Sequence, residues 1–140
     1  MVYVIVVLLT IGAIVAGLGV YRYQQVASLA REGSRWVCVH GSNYSGTTGN
    51  APASSADVLS HLQAESPGLN PSLLKVDVYL ISGGTKISWD SSSKAPFALN
   101  AVGVMTGQNL VEVVVTYTWQ AEALFGTYTM TSTSTVPMCF

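Results

Sequence analysis

The sequence predicts an α+β protein: a long apolar N-terminal helix packed on a small antiparallel β-sheet, with one short extra helix. Three observations carry this. The first twenty-one residues, MVYVIVVLLTIGAIVAGLGVY, hold no charged side chain. Several later runs alternate apolar and polar residues with the period of a strand. Glycine-, serine- and proline-rich stretches separate those runs and mark turns.

At about 1.5 Å per residue the uncharged run reaches about 30 Å, the thickness of a bilayer core. A cleaved signal peptide would need a basic n-region, and no Lys or Arg precedes the run. Gly12, Ala13, Ala16, Gly17 and Gly19 form a small-residue face suited to close helix approach, opposite a Val/Leu/Ile face that includes Val7. Helical register continues through YRYQQVASLARE, where Val26, Leu29 and Ala30 recur at spacings of three and four. Gly33 then offers a C-cap. The expectation is one helix over residues 1–33, whose first two thirds suit lipid or other helices and whose last third packs on a head domain over residues 34–140.

In the head, SRWVCVH sets Trp36, Cys38 and His40 against Arg35, Val37 and Val39 and reads as a strand entered from Gly33. SSADVLSHLQAES has an N-cap serine and apolar Val58, Leu59 and Leu62, giving the short helix, stopped by Pro67 and Gly68. LLKVDVYLIS alternates and is a strand, with TKISWD as its hairpin partner after Gly83-Gly84. Residues 91–109 read mainly as loop. LVEVVVTYTW, rich in β-branched and aromatic residues, is the strongest strand. TYTMTSTSTVPM is a final Thr-rich strand. The sheet has about four strands.

Composition narrows the function. The chain of 140 residues is 49% hydrophobic and 9% charged, with a net charge of -1. No basic excess exists to hold a phosphate backbone, so nucleic acid is not an expected partner. A weakly charged, Ser/Thr-rich surface leans toward an extracellular setting. Two cysteines about a hundred positions apart form neither a zinc pattern nor a CxxC motif. Cys38 and Cys139 read as a disulfide in an oxidising compartment, or else as two buried thiols.

His61 stands four residues from both Asp57 and Glu65, which offers a carboxylate-supported imidazole or, as the preferred reading, a solvated helix face. There is no GxSxG motif, and SGGT lacks the lysine and spacing of a phosphate loop and reads as a hairpin turn. Asn43-Tyr44-Ser45 is a formal glycosylation sequon. No catalytic residue, metal site or cofactor is expected.

The helix, its end YRYQQVASLAREGSRWVCVHG and the later VEVVVTYTWQAEALFG with the Thr/Ser strand resemble TadE-like proteins. These are pilins or pseudopilins of the tight-adherence (Flp) branch of the type IV pilus superfamily. The most specific match is Ala30-Arg31-Glu32-Gly33-Ser34-Arg35, and the likeness covers about half of the chain; residues 42–109 do not contribute. The resemblance implies a leader removed by a prepilin peptidase and a helix that packs into a filament core. No leader is visible here, and Ile5 stands where many type IV pilins carry a glutamate. The expected function is a structural subunit of an extracellular pilus, a homo-oligomeric helical filament, held as a single-pass inner-membrane protein before the pilus assembly machinery polymerises it. A minor pseudopilin and a membrane-anchored extracellular binding module are the alternatives; a membrane-attached enzyme ranks below both.

Overall fold

The structure, a computed structural model, describes residues 2–40, 53–82, 84–89, 110–121 and 126–138. Helix α1 spans Val2–Val39, 38 residues, and so extends about 57 Å at the standard rise. Helix α2 spans Ser55–Ala64. A 3₁₀ turn, Pro71–Leu73, leads into strand β1, Leu74–Ser82, followed by β2, Thr85–Ser88, β3, Leu110–Gln120, and β4, Thr127–Pro137. The expected α+β architecture is present: a long apolar helix, a short second helix and a four-stranded antiparallel sheet of order β2-β1-β3-β4.

The β3 pattern explains why one face of this sheet is buried. Val111, Val113, Val115 and Tyr117 alternate inward and are almost fully covered. Their β1 partners on the same face are Leu80, Val78, Val76 and Leu74. Against this face lie the C-terminal half of α1, through Val26, Leu29, Ala30 and Val37, and α2, through Val58 and Leu62. The opposite face is more polar. It carries the Lys75–Asp77 pair at 3.3 Å and the Lys86–Glu112 pair, with the Lys86 ammonium 4.1 Å from the Tyr79 ring centre.

Helix α1 and strand β4 run in the same direction. Gly19 lies against Trp119, which pairs with Tyr128. Further along, Gly33 lies against Val113, and Ser34 Oγ is 2.8 Å from Ser134 Oγ. The helix therefore advances from residue 19 to 34 while β4 advances from 128 to 134.

β4 is also an edge strand. The Ala121 N–H donates to Gly126 O at 3.0 Å, which makes 121 and 126 a hydrogen-bonded pair. Such pairs alternate in an antiparallel ladder. It follows from the register that Thr127, Thr129, Thr131, Thr133 and Thr135 aim their backbone groups away from β3, and all are exposed.

Three expectations are corrected. SRWVCVH is not a strand but the last turns of α1, and the helix runs on to Val39. The helix–head boundary at residue 33 falls with it, because α1 contributes to the head core from Val26 onward. Gly33 is no C-cap: it is helical and buried, and a Cβ there would crowd Leu62 and Val113. A seven-residue alternation fits a strand locally. The spacing Val26, Ala30, Gly33, Val37 continues the helical stripe across it, and no proline interrupts.

Candidate assembly and membrane-contact surface

From Val2 to Leu18 the side chains of α1 project from the head. Val7 is 56% exposed, and Ile5, Leu8, Leu9, Ile14 and Leu18 are comparably open. Within this stretch Thr10 turns its hydroxyl onto Val6 O at 2.8 Å, so this group asks nothing of a polar solvent. A helix with this much uncovered apolar surface is long and apolar enough to cross a membrane.

The expected small-residue face is only partly a single site. Gly12 and Gly17 have open space where a Cβ would stand. Ala13 and Gly17 are exposed on α1. Gly12 and Ala16, by contrast, join Val15 and Gly19 along one wall of a cleft of about 430 Å³. Its other wall is formed by residues of β3 and β4 near the turn that joins them: Trp119, Tyr128, Thr129 and Met130. The Trp119 and Tyr128 rings lie 6.1 Å apart, and a Cβ on Gly19 would come within 3.2 Å of Trp119 Cζ3. Sequence reasoning placed Gly19 on the small-residue face but did not place Val15, Trp119, Tyr128 or Met130 beside it. The spacing of Gly12, Ala16 and Gly19 by four and three was the available sign; the hairpin wall depends on tertiary packing.

Just past the cleft the chain turns polar. Arg22 Nη1 donates to Gly68 O and to Gln25 Oε1, and Gln25 Nε2 reaches Tyr21 Oη at 3.2 Å and Pro67 O at 3.4 Å. Gly68 has φ 83°, a left-handed turn that aims its carbonyl at Arg22. These bonds clamp α1 to the turn after α2, so the helix leaves the head at a fixed angle.

At the far end of α1, the Trp36 ring stacks with two imidazoles, its centroid 4.0 Å from that of His40 and 5.0 Å from that of His61. His61 is therefore not on a solvated face, and its Nε2 is buried with no hydrogen-bond partner among the described residues. Asp57 does not support His61; it closes a capping box with Ser54. The Ser54 backbone N–H and hydroxyl, each 2.8 Å from Asp57 Oδ2, hold that carboxyl below its ordinary pKa. Cys38 sits half-buried in the last turn of α1, its Sγ 3.2 Å from Arg35 O. Cys139 and Asn43, and with them the expected disulfide and sequon, lie outside the described residues, as does the expected loop over residues 91–109. Among the described residues no cluster of three His, Cys, Asp or Glu side chains could hold a metal.

Compared with protein-family models, with curated proteins and with solved structures, the chain matches none.

Proposed function

We propose that the chain is a structural subunit of an extracellular type IV pilus of the tight-adherence kind, polymerising through the N-terminal half of α1. The observation that carries this reading is the continuity of α1. One unbroken helix gives the head core Val26, Leu29, Ala30 and Val37 and carries uncovered apolar surface before Leu18. Apolar surface of this extent is stable in lipid or against copies of itself. The TadE-like sequence likeness supports the same reading, with the inner membrane holding the subunit before assembly machinery extracts it.

The rigid junction favours a filament subunit over a tethered binding module. A module on a stalk needs a flexible linker to search for ligand, whereas Arg22, Gln25 and the core residues of α1 fix helix and head as one body. Repeating units of one shape generate one helical lattice. The test is to purify the chain in detergent, remove the detergent in the absence of lipid, and image the product. Regular fibres are expected. Amorphous aggregate alone, under conditions that keep the head folded, would return the anchored binding module to first place.

A further inference from the structure

We infer that the sheet runs on from head to head in the assembled fibre: β4 of one copy pairs antiparallel with β2 of the next, Thr135 opposite Lys86 and Thr133 opposite Ser88. This rests on the proposed polymerisation and names the contact between heads that accompanies it.

Strand direction makes the contact available. All three pairings in the order β2-β1-β3-β4 are antiparallel, so the two outer strands run in opposite directions. β4 runs with α1, and β2 therefore runs against it. Copies laid side by side with their helices pointing the same way bring β4 against β2 in antiparallel array. Among the described residues no strand pairs with the far side of either. The Trp89 N–H donates to Val78 O at 2.9 Å, so the alternation of the ladder turns the backbone groups of Lys86 and Ser88 away from β1. On β4 the outward residues are the odd-numbered threonines. Both sets carry their side chains on the polar face, as opposed residues of one sheet must.

The side chains admit a neighbour. Edge strands are commonly guarded by a lysine, and β2 has Lys86. Its ammonium pairs with Glu112 and lies 4.1 Å from the Tyr79 ring centre, drawn across β1 toward β3 and away from the free side. Thr127 to Thr135 bring no charge to oppose it. Ile87, 44% exposed on the other face of β2, comes opposite Ser134, which bonds Ser34 of α1.

Pro137 selects the stagger. Within one sheet, Lys86 is level with Pro137 and Ser88 with Thr135. A level neighbour would set Lys86 against a residue that has no N–H, and a shift beyond Pro137 runs off the end of β4. Outward groups recur every second residue, so the next register lies two residues, about 7 Å, toward the start of β4. A head-to-tail contact with such an offset continues as an open helix and not as a closed ring. Four residues of pairing fall short of the about 1,200 Å² that a stable interface buries. The seam therefore forms where burial of α1 already holds copies together, and not between solubilised chains.

The test first reads the unsubstituted chain. Amide hydrogen exchange is compared between dilute chain in detergent and fibres grown by removing the detergent. The amides of Lys86, Ser88, Thr133 and Thr135 are expected to exchange freely in detergent and more than about tenfold slower in fibres. Thr127 and Thr129, beyond the reach of β2, should stay fast. A chain carrying Ser88→Cys and Thr133→Cys, oxidised as fibres, should give a ladder of covalent multimers above the parent's background from Cys38 and Cys139. Either substitution alone should not, because positions 88 and 133 stand at opposite edges of one sheet, three strand spacings or about 14 Å apart. Fibres with the four amides still fast and no ladder overturn the seam and leave polymerisation standing. Equal slowing at Thr127 and Thr129 assigns the edge to another cover and also overturns it. A ladder from Ser88→Cys with Thr135→Cys, and none with Thr133→Cys, overturns the stagger. A parent chain that forms no fibres overturns the seam together with the polymerisation it rests on.

Discussion

A Cβ on residue 33 would stand 2.9 Å from Leu62 Cδ1 and 3.2 Å from Val113 Cγ1. Gly33 is therefore a point of close approach between α1, α2 and β3, and substitution there acts through crowding. Gly33→Val should destabilise by about 1–3 kcal/mol, the range for overpacking. In thermal unfolding of the detergent-solubilised chain, Gly33→Val combined with Leu62→Ala should lose less than the sum of the two single losses, because shortening Leu62 makes room. Strict additivity would show that the two side chains do not meet. The imidazole of His61 presents a different balance. Its buried, unpartnered Nε2 is a liability, while its stack on Trp36 is an asset. His61→Phe keeps a ring and removes the orphan atom, so its stability should match or exceed that of the parent. His61→Ala should lose about 0.5–1.5 kcal/mol of ring contact plus buried area. A large loss in the phenylalanine variant would show that the imidazole nitrogen has an essential partner.

Helix α2 is short, and its start is set by one box of hydrogen bonds. Ser54→Ala should cost about 1 kcal/mol, the typical value for an N-cap. The same box is sensitive to acid. Because Asp57 is held below its ordinary pKa, its contribution is fully present above the unfolded value, near pH 4, and is lost as pH falls through the lower folded value. The contribution is small, since the carboxylate is exposed to solvent. The gap in stability between the parent and Asp57→Ala should accordingly be constant near neutral pH and close only below about pH 4. A gap that widened on acidification would contradict the cap. The elements also show what a sequence discloses. β1, β3 and β4 each alternate for nine residues or more, and α2 announces itself by Ser54 and Asp57. The run Ser34 to His40 is too short for its period to be decided from within. What decides it is the helix already under way and Ser34, Val37 and Gly33 finding β3, β4 and α2 on one side.

For the molecule as a whole, the uncovered half of α1 has no charge with which to set a register. Assembly driven by apolar burial predicts that Val7→Asp abolishes fibres, because each subunit would bury an unpaired carboxylate at a cost of several kcal/mol. Parent fibres should withstand about 1 M salt, where exposed charges are screened but apolar contact persists. Dissolution in salt, or normal fibres with aspartate at position seven, would overturn this mechanism. The apolar surface itself was legible in residues 1–21. The cleft beside it was not, because whether a hairpin returns to Gly19 depends on the direction of β4 relative to α1, a relation that local periodicity does not carry.

That direction has a further consequence for the free edge of β4. Among the described residues, Thr127 to Thr135 present an uncharged row of backbone donors and acceptors that no strand pairs with, the kind of edge that invites another strand. Two copies could zip antiparallel about Thr131, matching threonine with threonine. Since β4 is aligned with its own α1, that zipper would point the two helices in opposite directions. Chains inserted the same way through one bilayer are barred from it by orientation alone, with no lysine or bulge needed as a guard. Detergent removes the bar. Concentration-dependent dimers should then form in micelles and vanish in Thr131→Pro, whose lost N–H served no bond to β3. Cross-linking should find those dimers absent when the same chain is inserted one way into vesicles; equal dimer in both settings would mean that the membrane does not act as the edge's protection.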